Sequence, residues 1–158
     1  MAANIRPMIE EDKTAIKKIL QATPEFTVSE VKVALELIDL YLEYGINSDY
    51  HILVAQADNV ATGYICFGPT PMTEGTWDIY WMAVDPQKQR QGIGRRLLDE
   101  AEVSISKAEG RMILIETSSK PDYDKTRKFY ESCGYEIIAC IPDFYTPGDD
   151  KLVFQKRF

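Results

Sequence analysis

The stretch from Trp77 to Ala108 constrains the fold of this 158-residue chain more than any other. It opens with a run of aromatic and β-branched residues that ends at Val84, because proline in the following Asp85-Pro86 pair lacks the N–H that a strand ladder needs. After Gly92, apolar residues recur at helical spacing with charged residues between them. The pattern predicts a strand over residues 77–84 and a helix that begins near Gly92.

The start of that helix has the properties of an anion-binding site. The first turn of a helix presents N–H groups without internal partners at the positive end of the helix dipole. Gly92 and Gly94 leave this backbone bare, and Arg90 and Arg95 add positive charge. An ordinary glycine-containing helix start is the alternative. A P-loop does not fit because no Lys-Ser or Lys-Thr follows either glycine, and Leu97 stands where a dinucleotide fingerprint needs its third glycine.

The same residues match a family signature. Read as Gln/Arg-x-x-Gly-x-Gly/Ala after a strand ending Ala-Val-Asp-Pro, the segment 89–94 (Gln-Arg-Gln-Gly-Ile-Gly) resembles the acetyl-CoA signature of the GCN5-related N-acetyltransferases, or GNATs. The segment 125–135 is similar to the FYxxxGF segment of that superfamily. The resemblance extends over residues 50–158 and covers the first third by pattern only. It implies one GNAT domain over residues 1–158, of the α/β (α+β) class, with a central mixed, mostly antiparallel sheet of about seven strands and helices on both faces.

Hydrophobic periodicity predicts the elements of such a sheet along the whole chain. Two early helices are expected, the second capped by Ser29 and stopped by Gly45. A fourth helix is expected from residue 125 to residue 133, with Gly134 as its stop. The remaining strands are predicted at residues 4–7, 50–56, 60–67, 111–117, 135–141 and 151–156, and the run 111–117 reads as a strand buried on both faces.

The resemblance implies acetyl-CoA as co-substrate. It assigns pantetheine pairing to the backbone of the 77–84 strand and an oxyanion-stabilising N–H to the vicinity of Met82. The pyrophosphate is expected at the anion-binding turn. The residues expected to bind the co-substrate are Met82, Ala83, Val84, Gln89, Arg90, Gln91, Gly92, Ile93, Gly94 and Arg95.

Two side chains are candidates for the proton transfers that acyl transfer to an amine requires. Tyr130 corresponds to the usual general acid of the family, and a tyrosine that merely packs in the core is the alternative reading. Glu116 ends a strand on the cleft side of the sheet, where partial desolvation would raise its pKa and make it a better base. A glutamate that only forms a salt bridge at the strand end is an equally good interpretation of Glu116. Asp78 and Tyr80 are further candidates for the base or for substrate contacts.

The acceptor is less well defined. Tyr145 lies in a segment loosely similar to the tyrosine-containing hairpin that flanks the peptide cleft in protein N-terminal acetyltransferases, although an ordinary hairpin loop would read the same way. The family also makes acceptor contacts in the segment 21–28, where core packing plus a loop is the alternative. The expected acceptor is a small-molecule amine or a protein N-terminus or lysine.

Composition argues against several kinds of partner and site. A net charge of −7 and a pI near 4.8 argue against nucleic-acid partners. No 18-residue apolar run and no apolar N-terminal core occur, so a cytoplasmic protein without membrane contacts is expected. With one histidine and no paired ligand spacing, a metal site is not expected. The three cysteines, Cys66, Cys133 and Cys140, read as buried free thiols.

The sequence therefore predicts an acetyl-CoA-dependent N-acetyltransferase that moves an acetyl group directly to a primary amine in a ternary complex. A non-catalytic acyl-CoA-binding or sensing domain of the same fold is the alternative. Tyr130 and Glu116 favour the enzyme, because a binding module needs neither. A homodimer is left open.

Overall fold

A seven-stranded sheet forms the centre of the computed structural model, which describes residues 3–158. The strands lie in the order β1-β2-β3-β4-β5-β7-β6, and every neighbouring pair is antiparallel except β4 and β5. The predicted mixed, mostly antiparallel sheet is confirmed. The strands are β1 (Asn4–Pro7), β2 (His51–Ala57), β3 (Val60–Pro69), β4 (Thr76–Val84), β5 (Met112–Ser118), β6 (Glu136–Thr146) and β7 (Asp149–Arg157).

Helices cover both faces of the sheet and divide its core in two. The helices are α1 (Lys13–Ala22), α2 (Val28–Tyr44), α3 (Ile93–Lys107) and α4 (Asp124–Ser132). On one face, Ile16 of α1 and Ile38 of α2 pack in a cluster with Tyr64 of β3. On the other face, Leu97 of α3 and Tyr130 of α4 pack with neighbours that include Phe154 of β7. The apolar stripes read from the sequence supply the buried side of each helix.

The start of α2 differs from the prediction. Its N-cap is Thr27 rather than Ser29, because the Thr27 hydroxyl accepts a hydrogen bond from the Glu30 N–H at 3.1 Å. The Glu30 carboxylate in turn accepts from the Thr27 N–H at 3.3 Å, which completes a capping box. The Thr-x-x-Glu spacing was present in the sequence, and it fixes Glu30 at the helix start.

The last two strands run further than predicted. β6 continues through Pro142 to Thr146, which a strand tolerates because β6 is the sheet edge and pairs with β7 alone. Every residue of β6 is exposed, so Cys140 is an exposed thiol rather than a buried one. β5 is also less buried than predicted, since its side chains alternate between the core and the surface and Glu116 is exposed.

Nowhere in residues 3–158 is there a helix both long enough and apolar enough to cross a bilayer.

The feature that positions the site is a gap between β4 and β5. These two strands pair only from Thr76 to Ile79 of β4, opposite Met112 to Ile115 of β5. Beyond Ile79, β4 follows β3 as far as Val84 while β5 follows β7. The register between β3 and β4 also skips Tyr80, which marks a bulge at the divergence. The second half of β4 therefore has one edge without a strand partner.

Candidate active site

A cavity of about 1100 Å³ lies at this gap. Its lining comes from β4, the end of β5, the starts of α3 and α4, the α1–α2 connection and the β6–β7 hairpin. Of the residues that the sequence predicts for the site, all except Gln91 line this one cavity. The topology thus brings together side chains that the chain separates by more than a hundred positions, from Glu25 to Tyr145.

The segment 89–95, here called the glycine end of the cavity, contains the start of α3. Gly92 is the N-cap, with φ of 77°, and a Cβ added there would meet nothing within 4 Å. Glycine is therefore required by the backbone conformation and not by crowding. Gly94 has an ordinary φ, and a Cβ would meet only Phe129 and Val84 at 3.6 Å and beyond. The fold itself does not require glycine at position 94, and the absence of a side chain there leaves room for a ligand.

The backbone N–H groups at the start of α3 have no partner in the helix. The first bond of the helix runs from the Arg96 N–H to the Gly92 carbonyl at 3.1 Å, so the N–H groups of residues 93–95 precede the helical ladder. Within residues 3–158, no side chain caps the N-terminus of α3. Arg90 and Arg95 line the cavity beside these donors, and Arg90 has a φ of 66° that a non-glycine residue rarely adopts. The arrangement suits an anion such as a phosphate.

The turn before α3 is fixed by short polar contacts. The Asp85 carboxylate accepts a hydrogen bond from the Gln87 N–H at 3.0 Å, and the Asp85 N–H donates to the Thr62 carbonyl at 2.8 Å. The Gln89 side-chain amide reaches the Val84 carbonyl at 3.5 Å. The Asp-Pro pair therefore ends β4 and aims the chain into the helix start. The predicted strand, turn and helix are confirmed.

Tyr130 lies on α4 and reaches the cavity from the core. Only 6% of the residue is exposed, and its ring packs against Phe129, Tyr135 and Phe154 at centroid distances of 5.6, 6.2 and 5.8 Å. Burial raises the pKa of Tyr130 above its ordinary value, so the phenol stays protonated at neutral pH. The ring belongs to the core, as the packing reading expects, and the residue also lines the cavity, so its role as general acid stays a prediction.

Glu116 lines the cavity without the partial desolvation that the sequence suggests. Its side chain is 53% exposed, and the Lys151 ammonium lies 2.8 Å from its Oε1. The alternation of side chains along β5 points Glu116 away from the buried face that holds Ile115. The salt-bridged strand-end glutamate is therefore what the structure contains, and its carboxylate remains within reach of a substrate in the cavity.

Asp78 is the more desolvated carboxylate of the two. It lies on β4 opposite Leu114 of β5, and the Thr70 hydroxyl donates to its Oδ2 at 2.6 Å. Burial, with a smaller contribution from the nearby Glu116, raises the pKa of Asp78. Two residues along, burial and Asp78 raise the pKa of Tyr80 to about 12. Asp78 thus has the partly desolvated environment that the sequence predicts for Glu116.

The far side of the cavity is here called the carboxylate end, after the six acidic residues that line the cavity: Glu25, Glu30, Asp78, Glu116, Asp122 and Asp149. Asp78 and Val84 are separated by roughly 20 Å along β4, at about 3.3 Å per residue, so this end is distinct from the glycine end. Burial, and then the carboxylates of Glu116, Asp149 and Glu30, raise the pKa of Tyr145. Side chains from β5, β7 and α2 therefore lie near Tyr145 of β6.

Sequence reasoning missed most of the carboxylate end. It named Asp78, Glu116 and Tyr145 but no residue of α2, and it left the segment 21–28 between cleft wall and core packing. Glu25 and Phe26 of this segment line the cavity, and the Phe26 ring meets Trp81 of β4 edge-on at 5.3 Å. The capping-box spacing at Thr27 was the one signal that could have located Glu30 beside them.

Known proteins share this architecture. A family model described as "Acetyltransferase (GNAT) domain" matches residues 48–137. A solved protein of the GNAT family from Desulfovibrio desulfuricans is 39% identical, with a TM-score of 0.95 and 99% of each chain covered. No curated protein matches this chain in sequence.

Two more distant structures share the fold. The ribosomal-protein-S18-alanine N-acetyltransferase of Escherichia coli is 20% identical, with a TM-score of 0.78 over 98% of this chain and 93% of that one. The yncA protein of Salmonella typhimurium, solved with its cofactor acetyl-CoA, is 20% identical, with a TM-score of 0.75 over 99% and 94%. At these identities the likeness concerns the fold. The family model and the Desulfovibrio relative show the family as well as the fold. This chain belongs to the GNAT family of acetyltransferases.

Proposed function

We propose that this protein transfers an acetyl group from acetyl-CoA to a primary amine by direct transfer in a ternary complex. The observation that carries the proposal is the gap between β4 and β5. One cavity there is lined by an uncapped helix start, a protonated buried tyrosine and two candidate bases. Its volume of about 1100 Å³ exceeds the roughly 300–1,000 Å³ of ordinary small-molecule pockets, which suits two substrates at once.

The residues at the glycine end fit the phosphate-rich donor. The unpaired N–H groups of residues 93–95 would hold a pyrophosphate, and Arg90 and Arg95 would add charge. The unpaired edge of β4 from Met82 to Val84 offers backbone groups to the amides of the pantetheine arm. A backbone N–H near Met82 is the proposed oxyanion donor. By analogy with measured oxyanion holes, such a donor lowers the barrier by about 3 kcal/mol.

The side chains then divide the proton transfers. The acetyl thioester supplies an activated carbonyl carbon, to which the neutral amine nitrogen forms a bond while the carbon–sulfur bond breaks. Tyr130 donates its phenolic proton to the leaving sulfur. The proton lost by the nitrogen passes to Glu116 or Asp78, directly or through one water. Asp78 is favoured by its burial, and Glu116 by its reach into the cavity beside Lys151.

Release of free CoA thiol from acetyl-CoA, measured across a panel of amines and short peptides, tests this function. We expect at least one amine to give release that exceeds the slow hydrolysis of the thioester and that depends on Tyr130. The matched control is Tyr130→Phe, which keeps the ring that packs against Phe154. Tight binding of acetyl-CoA by calorimetry, with no release for any acceptor, would favour a sensing domain instead. No binding at all would overturn the assignment.

A further inference from the structure

One hydrogen-bonded side chain crosses the open side of the gap between β4 and β5. The two strands pair as far as Ile79 and Ile115 and then separate, so the sheet itself leaves this side open. The Tyr123 hydroxyl, just before α4, donates to the Glu25 carbonyl at 3.2 Å and to Glu30 Oε2 at 3.4 Å. Since α1 and α2 cover one face of the sheet and α4 the other, this contact joins the two faces beside the cavity.

The segment between β5 and α4, which carries this tyrosine, is anchored to its neighbours. The Arg127 guanidinium donates to the carbonyls of Ser118 at 2.8 Å and Lys120 at 2.9 Å, which holds the chain that leaves β5 against α4. The Asp150 N–H of β7 donates to the Ser119 hydroxyl at 2.7 Å. The base of the tyrosine side chain is therefore fixed relative to the β5 side of the gap.

The two oxygen atoms that receive this hydrogen bond are held from the β4 side. Phe26, next to Glu25 in the α1–α2 connection, meets the Trp81 ring of β4 edge-on at 5.3 Å. The capping box orients Glu30, because its Oε1 accepts the Thr27 N–H at 3.3 Å and its Oε2 lies 3.4 Å from the tyrosine hydroxyl. Thus β4, the α1–α2 connection, the tyrosine and β5 form a closed ring of contacts around the cavity.

The Tyr123 contact, here called the latch, is the weakest side of this ring. Two acceptors share one hydroxyl proton at rather long distances, whereas the other sides consist of paired strands, covalent chain and packed rings. Burial, followed by the charges of Glu30 and Glu25, raises the pKa of Tyr123, so the hydroxyl keeps its proton at neutral pH. The net contribution of one hydrogen bond to stability is small, so the latch can open without unfolding its neighbours.

We propose that Tyr123 is a positioning residue for the donor, whose latch opens to admit the pantetheine arm of acetyl-CoA into the gap and closes over it. The proposal rests on the proposed function, which assigns the arm to the unpaired edge of β4 from Met82 to Val84. An arm that pairs along this edge is enclosed by the ring. The closed latch keeps the arm against β4 while the thioester reacts, and it opens again before CoA leaves.

The latch has a kinetic consequence that a direct contact with CoA does not have. Because the latch is closed both before the arm enters and after it is seated, breaking it lowers the barrier in both directions. The association and dissociation rate constants of CoA then rise together, and Kd stays the same. A hydroxyl that instead contacts CoA would mainly change the dissociation rate constant.

Tyr123→Phe tests the latch, because it removes the hydroxyl and keeps the ring that lines the cavity. Stopped-flow tryptophan fluorescence, which reports on Trp81 in the cavity wall, gives both rate constants from the dependence of the observed rate on CoA concentration. We expect each to rise by about fivefold, the equivalent of one net hydrogen bond, with a change in Kd below about twofold. Tyr44→Phe, the same change at an exposed position of α2 outside the cavity, should leave both rate constants unchanged.

Glu30→Gln tests the partner of the hydroxyl. Glutamine has one side-chain oxygen, which cannot replace both carboxylate oxygens, and the Glu25 carbonyl remains as an acceptor. Both rate constants should therefore rise, by a smaller factor than in Tyr123→Phe. A rise larger than that of Tyr123→Phe would assign the effect to the charge of Glu30 and overturn the latch.

The outcomes separate the latch from the proposed function. Unchanged rate constants in Tyr123→Phe would mean that the arm threads end-on through a closed ring, and faster dissociation alone would mean that the hydroxyl contacts CoA. Either result overturns the latch and leaves acetyl transfer intact. Faster exchange of CoA in both directions, without thiol release for any amine, would support the latch and overturn the proposed acetyl transfer. A protein that does not bind CoA would overturn both.

Discussion

The glycine end and the carboxylate end of the cavity are built in different ways. At the glycine end, consecutive residues of one turn supply backbone N–H groups, and the geometry follows from ending a strand and starting a helix. At the carboxylate end, side chains arrive from elements far apart in the sequence, and each is held by a separate contact. Backbone sites depend on local conformation, whereas side-chain sites depend on the whole fold. We expect donor binding to be common to relatives of this chain and acceptor choice to vary among them.

The largest expected effect of a single substitution is at Tyr130, the proposed general acid. Tyr130→Phe should lower kcat by roughly 10²–10³, within the range for loss of a general acid. The Kd for acetyl-CoA should change little, because the ring and its packing remain. Steady-state kinetics together with calorimetry measure the two quantities. A variant that loses affinity as much as turnover would assign Tyr130 a role in binding instead.

The glycine end is tested by a pair of nearly isosteric changes. Asp and Asn tolerate the left-handed backbone of Gly92 better than most residues do, and an added Cβ meets no neighbour. Gly92→Asp should weaken CoA binding by about tenfold more than Gly92→Asn, since only the former adds a negative charge to a phosphate site. Calorimetric Kd values decide the matter. Equal losses in the two variants would mean that no anion binds this turn.

Asp78, at the carboxylate end, should make the stability of the protein depend on pH. Because burial raises the pKa of Asp78, the folded protein holds this proton more tightly than the unfolded chain does. The stability that this group contributes is present below its ordinary value of about 3.9 and is lost as pH rises through the raised pKa. Asp78→Asn should therefore be more stable than wild type at pH 7, by about 2 °C in Tm, with the advantage shrinking towards pH 4. An advantage that does not vary with pH would contradict this account.

A change in Tm of similar size is expected at Thr117. Thr117→Val removes a buried hydroxyl without a hydrogen-bond partner and should stabilise the free protein by about 1 kcal/mol, or about 2–4 °C in Tm. Thr117→Ser, which keeps the hydroxyl, is the control. A Val variant less stable than the Ser variant would mean that an unseen water or neighbour satisfies this group.

The same contrast explains what could be read from the sequence. The strand ending at Val84, the proline turn and the helix from Gly92 were predictable because each depends on residues close in the chain. The hairpin turn at Asp58 and Asn59 was equally local, and both residues adopt positive φ. The overall sheet followed from the family resemblance, which implies a mixed, mostly antiparallel sheet of about seven strands.

The carboxylate end escaped prediction for a physical reason. Whether Glu116 is desolvated depends on where Lys151 lies, and that is set by the pairing of β5 with β7. The burial of Asp78 depends on where β4 leaves β5, and no local residue pattern determines that point. Glu30 lines the cavity because α2 packs on the sheet, and no local residue pattern determines that packing. Burial and charge pairing across elements are properties of the fold, so sequence reasoning could name candidates without ranking them.

The most direct test of the central claim follows the acetyl group itself. Protein is mixed in single turnover with acetyl-labelled acetyl-CoA and the amine of the panel that gives the fastest thiol release, and the label is traced among thioester, protein, free acetate and amine. We predict that the label moves to the amine nitrogen without passing through the protein, and that Tyr130→Phe slows this step. Label that stays on the thioester, or appears only as acetate, would contradict acetyl transfer in this cavity.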